Sequence, residues 1–135
     1  MVRRARIKMP AFPRYASGAN TPAAPARARN TRKPGEMNGL ETQYAHFLET
    51  ERLAGRVDWW KFEPIGLRLA ERCTYNPDFL VVRPDGAIEV HETKGRWEDD
   101  ALVKIKVAAE MFPIFEFRAI QWVKGAWVVR EFNPR

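Results

Sequence analysis

Two carboxylates and a lysine, Asp78, Glu92 and Lys94, stand where one short hairpin would gather them. Between the acids lie an apolar stretch from Phe79 to Arg83, the tripeptide Pro84-Asp85-Gly86, and a second stretch from Ala87 to Thr93. Arg83-Pro84-Asp85-Gly86 fits a type I turn with proline at its second position, and Gly86 supplies the left-handed residue of a three-residue loop. Such a loop sets Arg83 opposite Ala87. Val82 then faces Ile88, Leu80 faces Val90 and Asp78 faces Glu92. Side chains alternate along a strand, which puts these residues on one face, apolar near the turn and acidic at the open end. Like charges directly opposite one another destabilise a sheet. A divalent cation between them would remove that penalty, because carboxylate oxygens are the ligands magnesium prefers. Lys94 follows on the same face. A two-residue loop would instead send Asp78 and Glu92 to opposite faces, so the inference depends on the turn.

The elements around this hairpin decide what else can reach it. Asn38-Gly39 offers a helix cap, and Leu40, Tyr44, Phe47 and Leu48 recur at helical spacing, predicting an amphipathic helix to about Ala54 with Gly55 as its stop. Glu41 lies about 20° from Leu48 on the helical wheel, at the edge of the apolar stripe and in the first turn. A carboxylate so placed could reach the cation site; the plainer reading is a first-turn glutamate on a solvated flank. Residues 57–72 are aromatic and branched but interrupted by Pro64 and Gly66, which reads as two short strands or one bent one. A second helix is expected from roughly Asp99 to Phe112, opened by Glu98, Asp99 and Asp100 and closed by Pro113. Within it Lys104 falls between Ala108 and Met111 on the wheel, inside the apolar arc, and is a candidate for contact with the site or a nucleic acid. Lys106 shares its side with Glu110 and reads as solvated. Residues 114–132 form two strands around Lys124-Gly125. The sum is an α/β or α+β fold, a central mixed sheet flanked by helices.

Charge is divided unevenly along the 135 residues, whose formal net charge is +6. Residues 1–36 hold nine basic side chains against one acid, Glu36, and are rich in proline and alanine; residues 37–135 hold 14 basic and 16 acidic ones. The first segment reads as a disordered basic arm, the second as one folded domain. Arg27, Arg29, Arg32 and Lys33 are the arm's candidate phosphate contacts. Plainer alternatives are a solubilising tail or a translation start misplaced upstream of Met37. Cys73 is the single cysteine, which excludes an internal disulfide framework, and with two histidines it cannot complete a four-ligand zinc site. No run approaches the roughly 18 apolar residues of a membrane span, and the N-terminus lacks the apolar segment of a secretory signal. A soluble cytoplasmic protein without a membrane partner is expected.

At Pro77-Asp78, followed by Glu92-Thr93-Lys94, the sequence resembles the PD-(D/E)XK nuclease superfamily. An acid on a preceding helix, a hairpin bearing the motif and a following helix match that superfamily's core order over roughly residues 37–132. The string TYNPDFLVV…IEVHETKGRWEDDALVKIKVAAEMFP is similar to a small phage-associated branch, and in the wider superfamily to archaeal-type Holliday junction resolvases. The resemblance implies a restriction-endonuclease-like core. It also implies that Asp78 and Glu92 bind Mg²⁺, with Mn²⁺ as substitute, that the Thr93 carbonyl is a further ligand, and that Glu41 completes the shell. A bound ion of this kind acidifies a water, orients it for attack on a phosphodiester and offsets the developing charge. Lys94 would hold the attacking water or stabilise the transition-state oxygens. The implied protein is a metal-dependent endonuclease of DNA, branched or duplex, encoded by a phage and acting as a homodimer in a bacterial cytoplasm, with no small-molecule cofactor.

Two rivals share these residues. One is the same fold kept for gripping DNA or RNA with catalysis lost; the intact Asp78, Glu92 and Lys94 set speaks against it. The other is a small basic RNA-binding protein working through its arm, which leaves the facing carboxylates unexplained. Trp97, Trp122 and Trp127 are candidates for an exposed surface that stacks on bases or forms a dimer, or else for core. His91 alternates to the opposite face from Glu92 and reads as packed or solvent-facing, not as a general base.

Overall fold

The computed structural model describes residues 35–132 and the backbone of Ile7–Lys8. The fold is α+β: two helices, a mixed sheet of five strands and a separate hairpin. In chain order the elements are β1 (Ile7–Lys8), α1 (Gly39–Leu53), β2 (Trp59–Phe62), β3 (Leu67–Ala70), β4 (Cys73–Tyr75), β5 (Phe79–Val82), β6 (Ile88–Lys94), α2 (Asp99–Met111), β7 (Glu116–Val123) and β8 (Ala126–Phe132). The large sheet runs β8-β7-β6-β5-β2, with the two-residue β1 extending its edge beside β8. Among the described strands only β6 and β7 pair in parallel, and α2 is the crossover that this pairing requires. The expected basic arm lies outside the described residues except at Ile7–Lys8, Gly35 and Glu36. Ile7 and Lys8 pair with Val129 and Val128, so strand structure enters a segment expected to have none.

The decisive turn forms as its residues dictate. The Gly86 N–H donates to the Arg83 carbonyl at 2.9 Å, the Arg83 N–H donates to the Ala87 carbonyl at 2.9 Å, and Gly86 has φ of 88°. Leu80 consequently faces Val90, and Val82 faces Ile88. Helix α1 begins with a reciprocal cap: the Asn38 side chain accepts from the Glu41 N–H, and the Glu41 carboxylate accepts from the Asn38 N–H, each at 2.8 Å. Gly55, at φ 78°, ends it.

Each face of the sheet has its own core. Helix α1 covers one face, where Tyr44, Phe47 and Leu48 pack on Phe79, Val81, Ile120, Trp127 and Val129. Helix α2 and the β3–β4 hairpin cover the other, where Ile105, Ala108 and Ala109 meet Leu67, Tyr75, Val90, Phe117 and Phe132. Of the two alternatives open for Trp127, exposed surface or core, the structure gives core: its ring stands edge-on to Tyr44 at 5.0 Å. Trp97 and Trp122 are half-buried against the two cores, while Trp59 is exposed. The helical-wheel placement of Lys104 toward the core face is corrected. Lys104 is exposed, as are Val103, Val107 and Met111, because α2 turns its Leu102–Ile105–Ala109 side to the sheet. No helix among the described residues is long and apolar enough to cross a membrane.

Candidate active site

Asp78 stands one residue before β5, at the open end of the hairpin, and is tied down on every side. Its carbonyl accepts from the Glu63 N–H at 2.8 Å. Its own N–H donates to Glu92 Oε2 at 3.3 Å, and its Oδ2 accepts from the Thr93 N–H at 2.8 Å and the Thr93 hydroxyl at 2.9 Å. Glu92, next to Thr93 on β6, accepts from the Tyr75 hydroxyl at 3.0 Å through Oε2, and Lys94 Nζ lies 3.3 Å from its Oε1. Asp78 and Glu92 are buried, at 6% and 7% exposure, and Lys94 is half-exposed at the rim. The hairpin therefore brings together the acids and the lysine expected from its register.

Burial is the main electrostatic cost. It pushes the Asp78 carboxyl up to about 7, with the Glu92 charge adding to the rise, the Thr93 N–H opposing it, and Glu41 adding a smaller upward push. Burial also raises Glu92, against the pull of Lys94, Tyr75 and the Asp78 N–H. Tyr75 is raised by burial and then by Glu92, so it stays protonated and donates. Two acids held in this way disfavour a double negative charge, and they titrate as a pair. A small dication would supply the missing positive charge. Magnesium commonly takes one or two carboxylates and fills its remaining positions with water and phosphate oxygens, so the donor set fits.

Glu41 is buried at 3% exposure, deeper than the edge of the stripe suggested. Its carboxylate accepts from the Asn38 N–H, and it acts on Asp78 through space. No group of three or more histidine, cysteine or acidic side chains among the described residues converges as a ready metal cage. Thr93 supplies N–H and hydroxyl donors to Asp78, a side-chain role that the sequence does not suggest. Tyr75 is a second residue that sequence reasoning misses, although it stands three residues before Asp78 in the TYNPD string. Arg27, Arg29, Arg32 and Lys33 lie outside the described residues, and Lys104 is on an exposed helix face.

An open cleft of about 510 Å³ is lined by Glu63, Pro64, Ile65, Gly66 and Asn76, on the segments that flank Asp78 through the Glu63 backbone bond and the Asn76-Pro77 step. Glu63 holds a left-handed backbone, φ 44°, which costs energy in a residue with a side chain, and from there its N–H reaches the Asp78 carbonyl. A Cβ on Gly66 would come within 2.8 Å of Asn76 Oδ1 and 3.2 Å of Thr74 Cγ2, so a larger residue here would displace the Asn76 amide. Comparison with protein-family models, curated proteins and solved structures finds no match to this chain.

Proposed function

We propose that the chain is a metal-dependent endodeoxyribonuclease with a restriction-endonuclease-like core, hydrolysing phosphodiester bonds in branched DNA as a phage-encoded, junction-resolvase-like enzyme. The observation that carries this reading is the buried Asp78–Glu92 pair with Lys94 at its rim, 3.3 Å from Glu92. Such a pair is an unfavourable feature for a purely structural sheet end and a suitable one for a cation. Asp78 and Glu92 would hold Mg²⁺ or Mn²⁺, with the Thr93 carbonyl and Glu41 as the further candidates that the PD-(D/E)XK resemblance implies. Bound there, the ion would activate a water and offset charge on the scissile phosphate. Thr93 keeps the Asp78 carboxylate aimed, Tyr75 keeps Glu92 aimed, and Lys94 presents an ammonium at the solvent edge, where a phosphate oxygen would arrive. A four-way junction needs two symmetric cuts, so a homodimer in the cytoplasm of a bacterial host belongs to the same proposal.

The test is cleavage of a four-way junction, a flap and a linear duplex, in Mg²⁺ and in chelator, by wild type and Lys94→Ala. Paired, metal-dependent cuts confined to the junction, with the rate reduced about 10²–10³-fold in the variant, are expected. Metal-dependent cutting of the other substrates keeps the nuclease and discards the resolvase. Tight binding with no cutting anywhere would replace both with a non-catalytic DNA- or RNA-binding module.

A further inference from the structure

On the α1 side of β6, behind the candidate site, lies a buried chain of polar groups that the proposed chemistry does not use. Glu89, at 2% exposure, meets Arg83 Nε, Arg118 Nη1 and His91 Nε2, each at 2.8 Å. The other ring nitrogen of His91, Nδ1, lies 2.6 Å from the Tyr44 hydroxyl. Burial lowers the pKa of His91 despite Glu89 beside it. Burial alone would raise Glu89, but His91, Arg83 and Arg118 overcome it and hold the carboxyl at about 2. An ionised Glu89 can only accept, so His91 Nε2 carries the proton and Nδ1 accepts from the Tyr44 hydroxyl.

That bond joins α1 to β6 at one point, and other contacts fix the direction. Three residues past the far end of α1, the Arg56 carbonyl accepts from Arg83 Nη1, beside the hairpin turn, at 3.4 Å. The start of α1 therefore lies toward the open end of the hairpin. Glu41 precedes Tyr44 by three residues, on the same buried helix face, and Thr93 follows His91 by two, on the same strand face. We propose that the Tyr44–His91–Glu89 chain is a positioning device that registers α1 on β6 and so sets the Glu41 carboxylate beside the Asp78–Thr93 pair. This rests on the metal-site reading above. Arg83 and Arg118 anchor its base, and Tyr44 and His91 act through Glu41 without touching metal or substrate.

A double-mutant cycle on the full chain tests it, with Mg²⁺ affinity measured by calorimetry and folding by thermal melting. Tyr44→Phe keeps the packed ring and removes the bond. It is expected to weaken Mg²⁺ binding about tenfold in a Glu41 background and to have no further effect in Glu41→Gln. His91→Gln, which can still reach Glu89 but leaves the Tyr44 hydroxyl without its acceptor, should reproduce the pattern and serves if Tyr44→Phe does not fold. Equal weakening in both backgrounds marks a general structural role and overturns the proposal, as does unchanged affinity in Tyr44→Phe. Wild type that fails to bind Mg²⁺ overturns the metal site itself, and this inference with it.

Discussion

Asp78 and Glu92 are held by donors that a neutral side chain of the same shape can still meet in part. Thr93 N–H and hydroxyl can donate to an asparagine carbonyl, and Tyr75 O–H to a glutamine carbonyl. Asp78→Asn and Glu92→Gln should therefore abolish cleavage while melting at or above the wild-type temperature, because each relieves a buried repulsion. Full cleavage by either variant would remove these residues from the site. Glu89 behaves in the opposite way. Its three cationic or histidine partners hold its folded pKa at about 2, below the ordinary value of 4.5. A depressed carboxyl contributes stability above its unfolded pKa and loses it as pH falls through the folded one. Wild type should thus lose this contribution between about pH 4.5 and 2, and Glu89→Gln should show a flatter denaturation profile across that window. Glu89→Ala removes the buried acceptor that Arg83, Arg118 and His91 share, while Arg118 keeps Glu116 and Glu131, and should cost about 3 kcal/mol at neutral pH. Parallel pH profiles for wild type and Glu89→Gln would mean that the carboxylate is not ionised in the folded protein.

The β5–β6 hairpin is legible in the sequence because its register is local: Pro84 and Gly86 select the turn, and the turn selects every facing pair. Gly86→Ala isolates that control. No atom lies within 4 Å of the added Cβ, so the cost is backbone strain alone at φ 88°, about 1–2 kcal/mol by urea denaturation. Cleavage well below the melting temperature should persist, and its loss in a folded variant would indicate a slipped register. Both helices are legible too, from caps and periodicity, but the buried side of α2 is not. That helix carries two apolar sides, Val103–Val107–Met111 and Leu102–Ile105–Ala109, and only the second meets the sheet. Periodicity cannot choose between them, which is why the wheel sets Lys104 on the wrong side. Strand β4 and the role of Tyr75 stay hidden because both arise from packing against α2 and Glu92, partners distant in the chain. Trp127 stays ambiguous for the same reason, since its burial depends on Tyr44 across the core.

Charge is organised at the scale of the whole chain, with residues 1–36 at +8 and residues 37–135 at −2. On the nuclease reading proposed above, the candidate site sharpens the contrast, since Glu41, Asp78 and Glu92 would put acids where a phosphate arrives. Attraction over distance would then fall to the arm, and the proposed chemistry to the folded domain. Deleting the arm is a blunt test, because Ile7–Lys8 pairs with β8 and its removal would bare a sheet edge. Changing Arg27, Arg29, Arg32 and Lys33 to serine leaves that pairing intact. Every phosphate that is no longer neutralised should reduce the slope of log affinity against log salt by about 0.9, so four would flatten it by about 3 to 4. The expected outcome is weaker duplex and junction binding at low salt, converging on wild type as salt rises. Single-turnover cleavage at saturating protein should be unchanged. An unchanged salt slope would make these four side chains a passive tail and move phosphate recognition to the folded domain, with Lys94 at the rim of the acids as its first candidate.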